Sequence, residues 1–298
     1  MLFDMFKKVK DNILEIPFKN KEAEESPFKS YGDDEMVVLD NKKNISDAEF
    51  EFLMSIGYLD ELSKKILKII AAHGVITSKQ LLFVLNNTEQ FKNTDQKTVK
   101  KALQKLSHKS FVKKGHFYAS RDGEIRSSFA IYSLGVHGKK LISDMGCLPQ
   151  NSIFWLKTPA YKQKYVLATT QVLQQFSDIF TEIIRYPLLS KDDMSIRFSG
   201  MAIIQGREFI IECVRSTTES HMYLPDRLNR FEYIIQNYRD LGFENKPEML
   251  VIAESPKHAN EIVQVFKDIS EKTNIYYTFD NAKEIDDIVD KNGRNILL

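Results

Sequence analysis

The amino-acid sequence predicts a mixed α/β protein with an acidic N-terminal segment and two folded domains. Three observations support this prediction. The chain has 298 residues, enough for two ordinary domains, and 43% of them are hydrophobic. Apolar runs with helical spacing and with strand-like spacing alternate along it. Its charge also changes near residues 55 and 150, so the predicted divisions are 1–55, 56–150 and 151–298.

Residues 1–55 are predicted to hold a short helix followed by a flexible linker. An amphipathic helix is expected near the start, where helical spacing relates Leu2, Phe6, Val9 and Ile13. Such a helix packs on its own protein or on a partner, the alternative being association with a membrane surface. Residues 17–48 contain prolines, a glycine and acidic runs with little periodicity, which we interpret as a mobile linker.

Composition excludes several classes of protein. No apolar run reaches the length of about eighteen residues that a membrane span needs, and the charged start of the chain is unlike a secretory signal. The two cysteines, Cys147 and Cys213, have no metal-ligand spacing, which indicates a reducing compartment and no zinc site. The glycines are not clustered into a nucleotide-binding turn. We therefore expect a cytoplasmic protein without a cofactor.

Charge is distributed unevenly along the chain. Residues 56–150 contain 16 basic and 7 acidic side chains, whereas residues 1–55 contain 8 and 13, and residues 151–298 contain 18 and 21. The positive excess of residues 56–150 is almost cancelled by the rest, which leaves a net charge of +1. A surface that binds a polyanion is therefore expected in residues 56–150.

Three helices are predicted in this basic region. Asp60 can cap a helix that ends at Gly74, and Ser78 can cap a second, shorter helix. A third helix is expected to start at Asn93 or Thr94, because helical spacing relates Val99, Ala102, Leu103 and Leu106. The opposite face of this third helix is rich in lysine, as is typical of a recognition helix.

A β-hairpin is predicted after the third helix. Strand-like runs at 116–120 and 125–134 flank Arg121-Asp122-Gly123-Glu124, and Asp-Gly between two such runs is a strong hairpin signal. Three helices followed by a hairpin predict a winged helix-turn-helix. Its predicted contacts with double-stranded DNA are Gln96, Lys97, Lys100, Lys101, Gln104, Lys105, His108, Lys109, Lys113, Lys114, Arg121 and Arg126.

Two other interpretations of the basic region stay open. A lysine-rich helix face is commonly just solvated surface, and winged helices also bind other proteins. DNA is favoured because the positive excess, the sparse acids on the helix face and the basic residues of the hairpin occur together. Lysines mainly neutralise phosphates, so Gln96 and Gln104 are the candidates for reading bases.

Residues 151–298 are predicted to form an α/β domain. The expected elements are, in order, a helix over 159–176, strands over 179–186, 195–204 and 208–215, a helix over 225–241, a strand over 248–253, a helix over 256–272, a strand over 274–279 and a helix near 285–289. A tight turn is expected at Gln205-Gly206. The order helix, three strands, helix, strand is the core of the restriction-endonuclease-like (PD-(D/E)xK) fold.

Nucleases of that fold hold a metal ion with an aspartate on the second strand and a Glu-x-Lys pattern on the third. The corresponding residues here are Ser199, Glu212 and Val214. Metal catalysis on phosphate needs at least two anionic oxygens and a group that activates water, and these residues do not supply them. The domain is therefore predicted to be catalytically inactive and to bind no metal.

The remaining charged and histidine residues of this domain are expected to be structural. Glu212 is interpreted as a carboxylate paired with Arg215, Arg227 or Arg230. His221 and His258 have no ligand partners at useful spacing and are expected at the surface.

Together, both halves of the chain resemble the replication-relaxation family of Gram-positive plasmids and conjugative elements. In that family a winged helix precedes a nuclease-like domain with a Pro-Asp-Gly-like turn, a Glu-x-Asp strand and a helix with basic and aromatic residues. The matching segments here are Phe198-Ser199-Gly200, then Glu212-Cys213-Val214-Arg215 with Thr217, Thr218 and Glu219, and then Arg227, Leu228 and Tyr233. The resemblance covers about residues 60–280. It implies a vestigial nuclease site at Ser199, Glu212, Val214 and Arg227 and a role in plasmid replication or DNA transfer.

The leading hypothesis is a double-stranded DNA-binding protein without enzymatic activity, acting in plasmid replication, conjugative transfer or transcriptional control. Its expected partners beyond DNA are a relaxase, a replication protein or a second copy of the chain. One alternative is a metal-dependent nuclease with non-standard carboxylates, such as Asp192, Asp193 and Glu212. Another is an adaptor that recruits proteins through its N-terminal helix and its α/β domain.

Overall fold

The computed structural model is a mixed α/β protein, as predicted, with eight α-helices and twelve strands among the residues it describes. Those residues are 16–18, 26–30, 35–40, 44–121, 124–147, 158–191 and 194–297. The predicted helix at Leu2–Ile13 and the predicted boundary at residue 150 lie outside them. None of the described helices is both long and apolar enough to cross a membrane.

The chain divides into two compact units. The first unit is Asp34–Thr170, and the second unit is Gln171–Leu298 together with Met1–Asp33. The division after Thr170 falls inside a helix, α6, which spans Ala160–Gln175. Each unit is described by itself below.

The first unit combines helices with one antiparallel sheet. Its helices, besides the first part of α6, are α1 (Asp47–Ser55), α2 (Glu61–His73), α3 (Ser78–Asn86), α4 (Gln96–His108) and α5 (Val136–Asp144). Its strands are β1 (Met36–Leu39), β2 (Val75–Thr77), β3 (Val112–Arg121) and β4 (Glu124–Leu134). They lie side by side in the order β1-β3-β4-β2, with every neighbouring pair antiparallel. The predicted hairpin is thus present as β3 and β4.

The start and end of α2 follow the predicted capping residues. The Asp60 side chain accepts a hydrogen bond of 2.7 Å from the Ser63 N–H, which satisfies one of the unpaired donors of the first turn. Gly74 ends the helix with a φ of 74°, in the left-handed region that glycine adopts without strain.

The next two helices start at residues other than those predicted. Thr77, not Ser78, caps α3, because its backbone is extended and it forms a reciprocal capping box with Gln80. Asp95, rather than Asn93 or Thr94, caps α4, since its carboxylate accepts a 2.6 Å hydrogen bond from the Thr98 N–H. An N-cap needs this backbone geometry as well as a short polar side chain, and spacing alone does not reveal it.

The apolar faces of α2, α3 and α4 meet in one core. The fully buried side chains at its centre include Ile66 and Ile70 from α2, Leu81 and Leu85 from α3, and Val99, Leu103 and Leu106 from α4. The helical spacing predicts this inward face for all three helices.

The first part of α6 also belongs to the first unit. Lys164 is fully buried and pairs with Glu35 at 2.5 Å, and its ammonium group lies 5.2 Å from the centre of the Phe117 ring. The Gln80 side-chain amide donates a 2.7 Å hydrogen bond to the Leu167 carbonyl. The helix is therefore fixed by polar contacts at two points.

Two glycines allow β4 and α5 to approach the end of α4 closely. A Cβ atom on Gly138 would lie 2.0 Å from the Phe111 carbonyl oxygen, and one on Gly135 would lie 2.1 Å from the Ser110 carbonyl oxygen. No other residue fits at either position without a shift of backbone, because both neighbouring atoms belong to the main chain.

Gly138→Ala is expected to destabilise the first unit by about 1–3 kcal/mol, through overpacking against the Phe111 carbonyl. The sign is diagnostic, since glycine to alanine inside a helix normally stabilises by up to about 1 kcal/mol. Urea denaturation followed by far-ultraviolet circular dichroism measures the change. Ser143→Ala, at an exposed position of the same helix, is the control and should be near neutral. An increase in stability for Gly138→Ala would contradict the close approach.

The second unit has a six-stranded sheet covered by helices. The strands are β5 (Thr181–Arg185), β8 (Gly200–Ile204), β9 (Arg207–Cys213), β10 (Glu248–Ala253), β11 (Ile275–Phe279) and β12 (Val289–Asp290), in the spatial order β12-β11-β10-β9-β8-β5. β9, β10 and β11 are parallel, and the other neighbours are antiparallel. The helices are the end of α6, then α7 (Thr218–Asn237) and α8 (Pro256–Ile262). β6 (Leu188–Lys191) and β7 (Met194–Arg197) form a separate hairpin.

Several predicted elements of the second unit have different bounds. The predicted strand 195–204 is divided between β7 and β8, and α7 begins at Thr218 with Pro225 inside it rather than at its start. The predicted helix 256–272 ends at Ile262, and the last predicted helix is a single 3-10 turn. After Ile262 the backbone bonds of α8 give way to turns, in which Val265 and Phe266 donate to carbonyls only three residues back. The turn at Gln205-Gly206 is confirmed, with positive φ at both residues as a tight hairpin requires.

Part of the segment predicted to be a mobile linker makes specific contacts. Phe18 and Phe28 are buried in the second unit, as is Ile16 just before the predicted linker, and the Ile16 N–H donates a 2.6 Å hydrogen bond to Asn260. Phe18 packs edge-on against Phe279, with ring centres 5.5 Å apart. Farther along, β1 pairs with β3 in the first unit. The isolated apolar residues of this acidic stretch therefore attach it to the folded units. Composition does not reveal these contacts, because the surrounding residues are mostly charged.

Candidate functional sites

The exposed face of α4 presents an unbroken polar and basic stripe. It consists of Lys97, Lys100, Lys101, Gln104 and His108, which are all exposed. Within the described part of the chain none of these side chains makes an ion pair or a hydrogen bond. Their spacing of three and four residues places them on one side of the helix, over about 16 Å. The structure thus brings together five of the predicted DNA contacts.

The other predicted contacts of α4 already have partners. The Gln96 amide donates to Ser78 Oγ at 3.0 Å. Lys105 Nζ lies 3.3 Å from Asp60 and 4.6 Å from the centre of the Tyr58 ring. Lys109 Nζ contacts Glu49 on α1 at 2.8 Å. These three side chains are only half exposed.

The predicted contacts after α4 are also held by neighbouring groups where they are described. Lys113 donates to the Asn44 amide oxygen at 2.8 Å, and Lys114 lies 3.3 Å from Asp40. Arg121 ends β3 and Arg126 lies near the start of β4, but their side chains fall outside the described part of the structure.

The hydrogen bonds made by Lys109, Asp60 and Asp95 favour the charged forms of these side chains. Hydrogen bonding to Glu49 raises the pKa of Lys109. Burial alone would raise the pKa of Asp60, but hydrogen bonds from Ser63 and Lys105 outweigh it and hold this pKa below the usual value. Asp95, the one acid at the start of α4, accepts the capping bonds of Thr98, which lower its pKa. At neutral pH Lys109, Asp60 and Asp95 are therefore charged.

In the second unit the predicted vestigial nuclease positions lie on neighbouring strands and one helix. Ser199 is buried just before β8, and its Oγ accepts a 3.1 Å hydrogen bond from the Cys213 N–H. Glu212 on β9 is buried and forms an ion pair with Arg227 on α7. Val214 is buried, and its N–H donates to the Ile252 carbonyl at 2.9 Å. Ser199 and Val214 are thus parts of the packed sheet.

Of the three arginines considered as partners of Glu212, Arg227 makes the pair. Arg230 instead contacts Asp226 one turn away at 2.8 Å, and Arg215 is bound elsewhere. The residues Asp192 and Asp193, which the nuclease alternative invokes, lie outside the described residues. Across the described ranges, no cluster of three or more histidine, cysteine, aspartate or glutamate side chains could hold a metal ion.

A buried polar cluster that the sequence analysis missed lies at the carboxyl ends of the parallel strands. Arg215 follows β9, Glu254 follows β10 and Asp280 follows β11. Arg215 and Asp280 are completely buried and form two hydrogen bonds, of 2.6 and 2.9 Å. Charged residues within two positions of the ends of largely apolar strands are the signal that could have revealed this cluster.

The N-terminal segment and α8 complete the cluster. Ser26 Oγ donates to Asp280, and the Ser30 N–H donates to Glu254 at 3.0 Å. Ser216 adds bonds to Glu254 from its N–H at 3.2 Å and its hydroxyl at 2.5 Å. His258, predicted at the surface, is buried, and its Nδ1 accepts from the Glu254 N–H at 3.2 Å. The helix start at Ser255 turns the His258 ring inward, which spacing alone does not show.

Electrostatics indicates that the charges of this cluster compensate one another and leave no reactive group. Burial alone would raise the pKa of Glu254, but the charges of Arg215 and His258, with the hydrogen bonds, hold it below its usual value. Burial raises the pKa of Cys213 to about 12, so its thiol stays protonated and is not a nucleophile. The carboxylates of the cluster, Glu254 and Asp280, are paired with cationic side chains and hydrogen-bond donors of the protein.

Comparisons with known proteins assign no family. No protein-family model matches the sequence, and no curated protein matches it. Among solved structures, the crystal structure of protein VC1899 from Vibrio cholerae aligns over 83% of this chain with 11% identity and a TM-score of 0.29. The chain spans about half of that protein's length, since the alignment covers 55% of it. A likeness at this level does not establish a shared fold.

Arg215→Met is expected to destabilise the second unit by about 3–5 kcal/mol, because it leaves the Asp280 carboxylate buried without its cation. Arg215→Met combined with Asp280→Leu should cost markedly less, since no charge then remains uncompensated. Urea denaturation gives both values. The matched surface change, Arg230→Met, should cost about 0–1 kcal/mol. Equal losses for Arg215→Met and Arg230→Met would show that the buried pair is not the constraint described here.

Proposed function

We propose that this protein binds double-stranded DNA through the exposed face of α4 and does not cleave it. The observation that supports this most directly is the stripe of Lys97, Lys100, Lys101, Gln104 and His108 on one helix face. Three lysines there make no ion pair with any described carboxylate. Lysines in such an arrangement neutralise phosphates and release the counterions that these phosphates hold.

The order of elements supports a winged helix in the first unit. Helix α2, strand β2, helices α3 and α4, and the hairpin β3–β4 follow one another, and β2 closes the sheet against β4. In a helix-turn-helix the second helix of the motif lies in the major groove. α4 occupies that place in the order, and its outward face is the basic stripe.

The side-chain contacts distinguish between the two candidate base-reading residues. Gln96 is bound to Ser78, whereas Gln104 is exposed in the middle of the stripe. A glutamine amide can make two hydrogen bonds to adenine in the major groove. Gln104 is therefore the proposed base contact, and Lys97, Lys100 and Lys101 are proposed phosphate contacts.

For the second unit we propose a nuclease-like scaffold that serves binding. The order α6, β5, β8, β9, α7, β10 and the antiparallel-then-parallel sheet support a restriction-endonuclease-like fold. Against catalysis stand the buried Ser199, the Val214 side chain and the neutralisation of Glu212 by Arg227. A carboxylate held by arginine offers a metal little charge.

The biological setting follows from the sequence resemblance to the replication-relaxation family. On that basis the protein is proposed as an accessory or regulatory factor in plasmid replication, conjugative transfer or their transcriptional control. A relaxase, a replication protein or a second copy of the chain is then the expected partner of the second unit.

Lys97→Ala/Lys100→Ala/Lys101→Ala in the full chain is expected to weaken binding to a fluorescent 25-base-pair duplex strongly. Each lost phosphate contact lowers the slope of log K against log salt concentration by about 0.9, so the slope should fall by about 2–3. Fluorescence anisotropy at several salt concentrations measures both quantities.

The matched control removes three exposed lysines of the second unit, Lys257, Lys267 and Lys283. It lowers the net charge by the same amount and should leave the slope unchanged. Affinity and slope that survive the α4 substitutions, or that fall equally in the control, would refute the proposed interface.

The nuclease alternative is tested by incubating the purified protein with supercoiled, linear and single-stranded DNA in Mg²⁺ or Mn²⁺. We expect no cleavage, because Glu212 is paired and the lysine position is valine. Cleavage by the wild-type protein that disappears in Glu212→Ala would replace the binding proposal for the second unit with an enzymatic one.

A further inference from the structure

We infer that Asp60 and Glu49 limit DNA binding by holding Lys105 and Lys109, so that the phosphate contacts of α4 come from Lys97, Lys100 and Lys101. This inference rests on the proposed function and concerns the regulation of the same site. Both acids come from elements that precede the predicted helix-turn-helix contacts in the chain, Asp60 at the start of α2 and Glu49 on α1.

The geometry shows one acid for each of the two lysines. Lys105 Nζ lies 3.3 Å from Asp60, and Lys109 Nζ lies 2.8 Å from Glu49. The side chains of both lysines are 34% exposed, while those of Asp60 and Glu49 are 61% and 41% exposed. The pairs therefore lie at the protein surface, where an approaching phosphate can compete for the ammonium groups.

The same arrangement continues into β3. Lys114 lies 3.3 Å from Asp40, and Lys113 donates to Asn44 at 2.8 Å. Four successive lysines of the chain, Lys105, Lys109, Lys113 and Lys114, thus face acceptors from residues 40–60. The lysines in the first half of α4 have no such acceptor among the described residues.

The strength expected for these surface ion pairs is enough to weaken DNA binding but not to prevent it. An exposed ion pair is weak, so a phosphate can displace the carboxylate. The displaced carboxylate nevertheless stays within the Debye length of about 8 Å and repels the phosphate. A lysine that exchanges a carboxylate for a phosphate therefore contributes less to the free energy of DNA binding than a lysine that was in contact with water alone.

The test is Asp60→Asn/Glu49→Gln in the full chain, measured by anisotropy with the same duplex. Asparagine keeps the N-cap of α2, and glutamine keeps the shape of the α1 side chain. We expect binding on the order of tenfold tighter near 0.1 M salt and a slope steeper by up to about 1.8, from two additional phosphate contacts. Adding Lys105→Ala and Lys109→Ala to this variant should abolish the gain.

The matched control is Glu51→Gln, on the same helix as Glu49. It removes one negative charge, but its partner is Lys140 on α5, at 2.7 Å. We expect less than a twofold change. Equal gains from Glu51→Gln and Glu49→Gln would overturn the inference in favour of bulk charge. An unchanged slope in the double variant would also overturn it while leaving the proposed function intact. Absence of duplex binding by the wild-type protein would overturn both.

Discussion

The buried ion pair between Arg215 and Asp280 is the constraint around which the second unit is organised. Neither side chain reaches solvent, so each charge has to be compensated inside the protein. The guanidinium fixes the end of β9 relative to the end of β11, and it also approaches the Ile252 carbonyl of β10. Asp280 in turn binds Ser26, so the same pair holds the N-terminal segment on the sheet.

This constraint explains why the carboxyl edge of the sheet is not an obvious ligand site. In open α/β sheets that edge is where ligands commonly bind. Here serine hydroxyls and main-chain N–H groups from residues 26–30 and 216 already satisfy Asp280 and Glu254. The N-terminal segment thus occupies the place that a ligand takes in other proteins of this architecture.

The two units differ in whether their charged side chains are buried and paired or exposed at the surface. In the second unit the charges at the edge of the sheet and at Glu212 are buried and paired. In the first unit one such pair exists among the described residues, Lys164 with Glu35, while the lysines of α4 stay at the surface. A surface cation that is only hydrated can gain from meeting a phosphate, whereas a buried and paired one cannot. This contrast is the physical reason for placing the proposed function in α4.

Much of the fold could be predicted from local pattern. Asp60 and Gly74 delimit α2 as predicted, and the apolar runs at 248–253 and 275–279 are central strands. These features depend on spacing and capping, which are written in neighbouring residues. The ends of α8 and of the last predicted helix could not be predicted, because the apolar spacing that predicts a helix continues past both.

The side-chain contacts of the two candidate sites could not be predicted either, because they join residues that are far apart in the sequence. Arg215 and Asp280 are 65 positions apart, and Lys105 and Asp60 are 45 positions apart. A sequence shows that a lysine-rich face exists but not which of its lysines meets a carboxylate from another element. The burial of Ile16 and Phe28 was hidden in the same way, since their neighbours in the chain are charged while their contacts are distant.

Duplex DNA is proposed to lie on the exposed face of α4. The most direct measurement places a photoreactive benzoylphenylalanine at Gln104 in the full chain and, separately, at the exposed Lys267 of the second unit. After irradiation with a labelled duplex, we expect a covalent DNA adduct from position 104 and none from position 267. An adduct from position 267 with none from position 104 would contradict this proposal.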